Sequence, residues 1–285
     1  MINNLGRYEI IKELGHGSMG VVYKARDPWI DRNVAVKTIN LQDLKTEEKK
    51  ECKARFYQEA RAVGRLSHRN IVAIHDLGED SGMTYIAMEL LEGYELDHLL
   101  KDGQRLPVEE ALSVVIQVSA GLAYAHEHGI IHRDIKPSNI MVLNGNQVKI
   151  ADFGIASMTA SLLNTQIGKV LGSPLYMSPE QVLDRPIDNR LDIFSVGAML
   201  FRMLTGLPPF WGDNTHAVMY KIVHENPPKP SFSNPDVPKQ LDAIVAKCMA
   251  KNPDDRYPSA YELTDDLRAC REILLNSKAG VDRRK

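Results

Sequence analysis

The residues most suited to chemistry lie in two short segments of the chain, 132–139 and 152–154. The first segment contributes an acid and an amide, Asp134 and Asn139, and the second contributes another acid, Asp152. Carboxylate and amide oxygens are the ligands that Mg²⁺ prefers, and protein-bound Mg²⁺ commonly also holds phosphate groups. The two segments therefore predict phosphate chemistry, provided that the fold brings them together.

A predicted β-hairpin joins the two segments. The apolar runs 141–143 and 148–151 flank Asn144-Gly145, which is typical of a hairpin turn. A hairpin folds the chain back on itself, so the three polar side chains are expected to converge on one cleft.

The two segments resemble the catalytic loop and the metal-binding loop of protein kinases. Lys136, two residues after Asp134, is similar to the serine/threonine branch of that family. The resemblance implies that Asp134 accepts or orients the proton of a substrate hydroxyl, and that Lys136 neutralises charge on the moving phosphoryl group. It also implies that Asn139 and Asp152 hold Mg²⁺ against the phosphates of ATP, with Mn²⁺ as a possible substitute.

A glycine-rich stretch near the N-terminus adds a candidate phosphate-binding loop. Its three glycines fall in a turn between two predicted strands, and glycine lets backbone N–H groups approach phosphate oxygens. An ordinary hairpin is the alternative, whereas a dinucleotide-binding loop is disfavoured because residues 21–24 continue as a strand where that fold needs a helix. The expected nucleotide contacts here are Leu14, Gly15, His16, Gly17, Ser18, Met19, Gly20 and Val22.

Lys37 and Glu59 are predicted to form an inward-facing ion pair. Ala35 and Lys37 share one face of a predicted strand, and Ala35 is small enough for an adenine ring to lie beside it. On the helix predicted over 47–66, Glu59 falls on a stripe that is otherwise apolar, so it needs a cationic partner. A purely structural pair is the alternative; the resemblance implies that Lys37 orients the α- and β-phosphates while Glu59 holds it.

The resemblance places the adenine contacts in the stretch 85–93. The backbone of Glu89 and Leu91 would bond the adenine edge, with Met88 behind the base. Glu95 is a candidate ribose contact, and an exposed acid at a helix start is an equal alternative for it. The residues expected to sandwich the ring are Leu14, Val22, Ala35 and Met141.

The segment between 152 and 180 is expected to receive the protein substrate and to carry regulatory phosphorylation. Ser173 would be a hydroxyl of the substrate loop. Arg133, directly before the catalytic acid, would need an anionic partner that a phosphothreonine supplies. Thr165 is the first candidate for this modification and Thr159 the second.

The resemblance covers residues 8–272 and implies an α+β, two-lobed fold. A small lobe over 1–91, with an antiparallel β-sheet and one key helix, would bind ATP. A larger, mainly helical lobe over 92–275 would carry catalysis and substrate binding, followed by a flexible polar tail over 276–285. Within the family, the sequence is similar to the bacterial receptor-type, eukaryotic-like serine/threonine kinases. Members of that group form homodimers through the small lobe, so autophosphorylation in trans within a homodimer is a further expectation.

Composition agrees with an enzyme of this kind. The formal net charge of −2 over 285 residues gives no reason to expect bulk binding to nucleic acid. The three cysteines are scattered and odd in number, so reduced thiols in a cytoplasmic compartment are expected. No membrane segment is predicted, and the chain would be cytoplasmic or the cytoplasmic part of a longer membrane-anchored protein.

Two alternative functions stay open on the sequence. A pseudokinase or nucleotide-binding scaffold is disfavoured because Lys37, Asp134 and Asp152 are all present. A kinase of small molecules is disfavoured because the stretch 172–180 and Arg256 resemble the peptide-binding segment and its latch. The latch implied by the resemblance is an ion pair between Arg256 and Glu180.

Overall fold

The computed structural model describes residues 3–17, 20–39, 46–153 and 174–282. Contacts between Cα atoms divide the chain into two compact units, whose boundary falls between Glu92 and Gly93. Asp152 and Phe153 belong to the first unit, although they follow that boundary in sequence. Some of the predicted site residues lie outside the described residues: Ser18, Met19, Thr159, Thr165 and Ser173.

The first unit is an antiparallel sheet with one helix. Its six strands lie in the order β1-β2-β3-β4-β6-β5. The strands are β1 Asn4–Leu5, β2 Tyr8–Gly17, β3 Gly20–Asp27, β4 Arg32–Ile39, β5 Ile74–Asp80 and β6 Met83–Glu89, and the helix is α1 Thr46–Val63.

Strand alternation gives this sheet two apolar faces. Successive side chains on a strand point to opposite faces, so Val34 and Val36 lie on one side of β4 while Ala35 and Lys37 lie on the other. The first face buries Val34 and Val36 in one core cluster. The other face packs against α1 through a second cluster that includes Phe56. The face of β4 that carries Lys37 is therefore the face that α1 covers.

The second unit is mainly helical and holds a small sheet. Its strands pair in the order β7-β8-β9. They are β7 Gly93–Glu95, β8 Ile140–Leu143 and β9 Val148–Ile150, and the helices are α2 Leu96–Leu99, α3 Val108–Glu127, α4 Pro179–Val182, α5 Arg190–Thr205, α6 Thr215–His224, α7 Pro230–Ser233, α8 Lys239–Cys248 and α9 Ala260–Asp282. The predicted α+β fold, with a small sheet unit and a larger helical one, is confirmed.

The predicted hairpin between the two chemical segments is present. Strands β8 and β9 pair antiparallel, with Val142 opposite Val148. The turn Asn144–Asn146 is a short 3-10 helix in which Gly145 has φ +75°. Glycine adopts this left-handed conformation without steric cost, which explains the Asn-Gly signal.

Helix α3 forms the centre of the second unit. Leu112, Val115 and Leu122 on it are fully buried, and it packs against α5 and α9. Within the described part of the chain it is the one helix long and apolar enough to cross a membrane, judged by length and composition. Of its apolar window, 61% is buried inside the protein, as is usual for a core helix.

A buried ion pair joins α4 to the chain before α9. Arg256 Nη1 and Nη2 donate to Glu180 Oε1 and Oε2 at 2.7 and 2.8 Å. The remaining donors of Arg256 bond backbone carbonyls, among them those of Ala250 and Arg190. Burial by itself raises the pKa of the Glu180 carboxyl, but the hydrogen bonds and charge of Arg256 outweigh it, so this pKa lies below its ordinary value. The latch that the resemblance implies is confirmed.

Removing the cation of this pair should destabilise the protein. We expect Arg256→Met to lower the free energy of unfolding by about 3 kcal/mol, because it leaves Glu180 buried without its cation. Urea unfolding at pH 7 measures this. The matched control is Arg268→Met, which breaks the exposed pair with Asp265 and should change stability by less than about 0.5 kcal/mol.

The same pair predicts a pH dependence. Because its folded-state pKa is lowered, Glu180 contributes stability above the ordinary value of 4.5 and loses it as pH falls through the lowered pKa. In Arg256→Met burial acts without the cation and raises the pKa of Glu180, so the stability difference from wild type should begin to shrink as pH falls from neutral and should shrink further as pH falls through the lowered pKa of the wild-type carboxyl. Equal losses for Arg256→Met and Arg268→Met at pH 7 would contradict the assignment.

Candidate active site

The glycine-rich hairpin of the first unit has one position that only glycine can fill. Strands β2 and β3 pair antiparallel, with Gly17 opposite Gly20. Gly20 has φ +153°, and a Cβ there would lie 1.9 Å from the carbonyl oxygen of Thr38. Val21 N donates to Thr38 Oγ1, and this hydroxyl donates to Val21 O, both at 3.1 Å. The start of β3 is thus tied closely to β4.

Gly15 has a different role from Gly20. A Cβ at Gly15 would meet no atom within 4 Å. Packing therefore does not require glycine at this position, which lies opposite Val22 in the β2–β3 ladder. Nearby, Leu14 and His16 are exposed, so this end of the hairpin is accessible to a ligand.

Strand register places most of the predicted nucleotide contacts of the sheet on one face. Val22 lies opposite Lys37 between β3 and β4, and Ala35 lies opposite Met88 between β4 and β6. Residues directly opposite one another in antiparallel strands share a face. Two apolar side chains, a small alanine and a lysine therefore line a single surface.

Lys37 forms an ion pair with Asp152. Its Nζ lies 2.7 Å from Asp152 Oδ2, and the two side chains are 16% and 33% exposed. Glu59 is half-buried on α1, on the predicted stripe with the buried Phe56 and Ala60. The expected contact between Lys37 and Glu59 stays a prediction.

The end of β6 offers fewer donors than the sequence suggests. Glu89 N donates to the carbonyl of Ala73 at 2.9 Å, and Ala73 N donates to Glu89 Oε2 at 3.3 Å. These bonds leave no amide donor at Glu89 for an adenine edge. Leu91, two residues later, is half-buried.

The catalytic-loop candidates of the second unit form one hydrogen-bonded cluster. Asp134 Oδ2 accepts from Lys136 Nζ at 2.7 Å and from Asn139 Nδ2 at 3.1 Å. Asn139 Nδ2 also donates to the backbone carbonyl of Asp134 at 2.8 Å. The 3-10 turn Pro137–Asn139 brings the amide back towards the acid. Asp134, Lys136 and Asn139 therefore come together as the sequence predicts.

A buried carboxylate anchors the backbone of this loop. Asp192, fully buried at the start of α5, accepts from His132 N at 2.8 Å and from Arg133 N at 2.9 Å. Its third bond is to His126 Nε2 at 2.8 Å. Arg133 takes φ +69°, a conformation rare for a residue with a side chain. The carboxylate holds the loop in this shape.

His132 connects the catalytic loop to the chain before Asp152. Its Nδ1 lies 3.2 Å from Asp134 N, which donates to it. Its Nε2 lies 3.0 Å from the carbonyl oxygen of Ala151 and donates to that oxygen. A ring that accepts at Nδ1 and donates at Nε2 is a neutral imidazole. His132 is fully buried, so it acts as a structural bridge.

Gln181 contacts the catalytic loop, although the sequence analysis does not identify it as a site residue. Its Nε2 donates to the carbonyl of Arg133 at 2.9 Å. Its Oε1 accepts from Ser178 N, and its own N donates to Ser178 Oγ, which closes a capping box at the start of α4. The spacing Ser178-x-x-Gln181 is a sequence signal for that cap. It does not reveal the bond to Arg133.

The remaining nucleotide candidates of the second unit lie on neighbouring strands. Glu95 of β7 is directly opposite Met141 of β8. Glu95 is exposed and does not cap α2, although it precedes that helix. Its carboxylate is accordingly accessible for a ligand contact.

Asn139 and Asp152, the two candidate metal ligands, each have a side-chain oxygen that can bind a metal. Asn139 belongs to the second unit and Asp152 to the first. Asn139 uses Nδ2 on Asp134, which leaves its Oδ1 as the acceptor, and Lys37 takes only Oδ2 of Asp152. Such oxygens fit a hard divalent cation that also binds phosphate. The described residues contain no cluster of three or more His, Cys, Asp or Glu side chains placed to hold a metal unaided.

Comparison with known proteins agrees with this geometry. Residues 8–266 match the family model described as the protein kinase domain. The chain is 42% identical over 271 residues to a probable serine/threonine-protein kinase of Streptomyces coelicolor, covering 93% of this chain and 40% of that protein. It is 41% identical over 267 residues to the serine/threonine-protein kinase PknB of Mycolicibacterium smegmatis, covering 92% and 42%. With PknL of Mycobacterium tuberculosis the identity is 38% over 268 residues, covering 94% and 66%.

These matches confirm the resemblance to serine/threonine protein kinases that the motifs carry. The chain spans less than half the length of the first two relatives.

The Asp192 anchor yields a direct test. In Asp192→Asn an amide NH₂ replaces one acceptor oxygen and faces the donors of the loop. We expect a loss of about 2 kcal/mol in the free energy of unfolding and faster hydrogen exchange at the amides of His132 and Arg133. Urea unfolding and exchange mass spectrometry measure these two effects.

The matched control is Asp213→Asn, at an exposed position of the same unit. It should change neither stability nor exchange. Unchanged exchange at His132 and Arg133 in a folded Asp192→Asn protein would show that the carboxylate does not hold the loop.

Proposed function

Because the chain belongs to the protein kinase domain family, we propose that it transfers the γ-phosphate of ATP to serine or threonine hydroxyls of protein substrates. The observation that carries the proposal is the cluster of Asp134, Lys136 and Asn139. Phosphoryl transfer depends on positioning and charge neutralisation, and this cluster supplies both.

Asp134 is the group that receives the substrate hydroxyl. Its Oδ2 is held by Lys136 and Asn139, which fixes the carboxylate plane. The other oxygen, Oδ1, accepts no bond from the described residues and is available to the substrate O–H. A hydroxyl bonded there has its oxygen lone pair oriented for attack on the γ-phosphorus. Its proton passes to Asp134 as the new P–O bond forms, while the bond from the γ-phosphorus to the oxygen bridging to the β-phosphate breaks and ADP leaves.

Two lysines supply positive charge from the two units. Lys136 Nζ donates one N–H to Asp134, and its other two N–H groups can donate to the phosphoryl oxygens. Lys37, on the sheet of the first unit, would orient the α- and β-phosphates, with Glu59 as its positioning partner. When the ammonium of Lys37 binds a phosphate, its ion pair with Asp152 breaks. The carboxylate of Asp152 can then bind another cation.

The nucleotide and metal contacts are proposed on the same basis. Asn139 and Asp152 would hold Mg²⁺, or Mn²⁺ in its place, which neutralises phosphate charge when bound. The adenine would lie on the face formed by Val22, Ala35 and Met88. The carbonyl of Glu89, the backbone of Leu91 and the side chains of Leu14, Glu95 and Met141 complete the proposed set.

Regulation and context extend the proposal. We propose trans-autophosphorylation within a homodimer at Thr165, with Thr159 as the second choice and Ser173 as a substrate-loop hydroxyl. Protein substrates and a cytoplasmic location, alone or as part of a longer membrane-anchored protein, are proposed for the whole protein.

The test of the function is phosphotransfer to a generic basic protein, with labelled ATP and Mg²⁺. We expect Asp134→Asn to lower turnover at least about 100-fold, since the hydroxyl loses its proton acceptor. Asp152→Asn should also lower it strongly. Mass spectrometry before and after incubation with ATP reports autophosphorylation sites in the same samples.

The control for this series is Asp184→Asn, an exposed acid of the second unit with φ +50°, a conformation that asparagine tolerates. It should keep wild-type turnover. Near-normal phosphotransfer by a folded Asp134→Asn protein would overturn the assignment. Nucleotide binding without transfer by the wild type would instead indicate a pseudokinase, and transfer only to small molecules would indicate the other alternative.

Lys37 and Glu59 should contribute unequally to activity. Lys37→Met should abolish activity because the phosphates lose their positioning charge. Glu59→Ala should lower turnover less, by about tenfold, because the lysine survives without its positioning partner. Steady-state kinetics with varied ATP separates the effects on kcat and KM.

Glu51→Ala is the matched control on the same helix. Glu51 pairs with Arg55 on the exposed side of α1, and its loss should leave kinetics unchanged. Full activity of Glu59→Ala would show that Glu59 has no positioning role.

A further inference from the structure

One peptide group of the catalytic loop, the group that joins Arg133 to Asp134, is held at both ends. Its N–H, that of Asp134, donates to Nδ1 of His132 at 3.2 Å. Its carbonyl, that of Arg133, accepts from Nε2 of Gln181 at 2.9 Å. Because a peptide group is planar, fixing its N–H and its carbonyl oxygen fixes the orientation of the backbone from which the Asp134 side chain extends.

The side-chain amide of Gln181 bonds two chain segments at once. Besides its bond to the loop, its Oε1 accepts from Ser178 N at 2.9 Å, in the capping box that begins α4. A capping box needs only the acceptor oxygen, which Glu supplies as well as Gln does. The cap therefore explains the oxygen of the amide and leaves its donor to the catalytic loop.

Helix α5 supports both of the segments that Gln181 joins. Asp192, in the first turn of α5, accepts from the backbone of the catalytic loop. Ser195, three residues later, donates from Oγ to the carbonyl of Tyr176 at 2.7 Å, in the chain that leads into α4. Residues three apart lie on one face of a helix. The loop and the segment 174–178 are therefore both bonded to one face of α5, and Gln181 joins them to each other.

We propose that Gln181 is a positioning residue for phosphoryl transfer: its amide N–H holds the Arg133 carbonyl and thereby sets the orientation of the Asp134 carboxylate towards the substrate hydroxyl. The inference rests on the proposed function, in which Asp134 receives that hydroxyl. Gln181 also couples two parts of the site, because the segment expected to receive the protein substrate leads directly into the helix that carries it. A change in that segment reaches Asp134 through one hydrogen bond.

Gln181→Glu separates the two roles of the side chain. The glutamate keeps an oxygen for Ser178 N, so the capping box survives. Its second oxygen replaces the NH₂ group and places an acceptor against the Arg133 carbonyl, so the bond to the loop is lost. Gln181→Met removes both bonds and keeps a side chain of similar length. The matched control is Gln240→Glu, the same change at an exposed position in the first turn of α8.

Hydrogen exchange reports directly on the peptide group before Asp134. In Gln181→Glu and Gln181→Met we expect the amide of Asp134 to exchange at least about tenfold faster than in the wild type, because releasing the carbonyl lets the loop open locally. Mass spectrometry with fragmentation to single residues measures this, and circular dichroism checks that each variant is folded. Gln240→Glu should exchange as the wild type does. Wild-type exchange at Asp134 in either folded Gln181 variant would overturn the proposal.

Steady-state kinetics on a serine peptide separates positioning from a loss of folded enzyme. Titration with a fluorescent ATP analogue counts the competent molecules, and kcat is expressed per bound nucleotide. We expect this kcat to fall about 10- to 100-fold in both Gln181 variants. The KM for ATP should not change, because Gln181 is not among the proposed nucleotide contacts. A merely structural role would lower the binding stoichiometry and leave kcat per bound nucleotide unchanged, which would overturn the proposal.

The two measurements keep this inference apart from the proposed function. Exchange at Asp134 requires no phosphotransfer, so it tests the Gln181 bond even in a protein that transfers no phosphate. Failure of phosphotransfer by the wild type would overturn the proposed function, whereas unchanged exchange at Asp134 would overturn the inference alone. In an active enzyme, faster exchange combined with wild-type kcat in Gln181→Glu would show that the bond does not position the acid, and this too would overturn the inference.

Discussion

The geometry of the catalytic loop depends on one buried carboxylate. Asp192 has no exposure to solvent, and a buried charge is very costly unless hydrogen bonds satisfy it. Its donors come from the backbone of His132 and Arg133 and from the ring of His126. Satisfying this charge holds Arg133 at a rare positive φ, and the position of Asp134 follows from that backbone.

Helix α4 connects the catalytic loop to a second buried charged group, Arg256. Two adjacent residues of that short helix point to different partners. Gln181 bonds the carbonyl of Arg133, whereas Glu180 pairs with the buried Arg256. The catalytic loop is therefore connected to α4, and through α4 to the chain before α9, by polar groups that burial requires to be paired.

The same chemical arrangement, a lysine paired with an aspartate, occurs in each unit. Lys37 pairs with Asp152 in the first unit, and Lys136 pairs with Asp134 in the second. In each pair the lysine occupies one carboxylate oxygen and leaves the other available. Partly exposed pairs of this kind are weak, which is what the proposed exchange of their partners for phosphate oxygens and a metal ion requires.

The sequence by itself determined the local parts of this protein. The Asn-Gly turn, the three-residue spacing of the capping box and the alternation that puts Ala35 and Lys37 on one face are set by short-range backbone geometry. Only the tertiary structure decided that Lys37 pairs with Asp152, that Ala73 uses the amide of Glu89 and that Gln181 bonds Arg133. These contacts join residues far apart in the chain, and electrostatic attraction and hydrogen bonding select whichever partner the completed fold brings nearest.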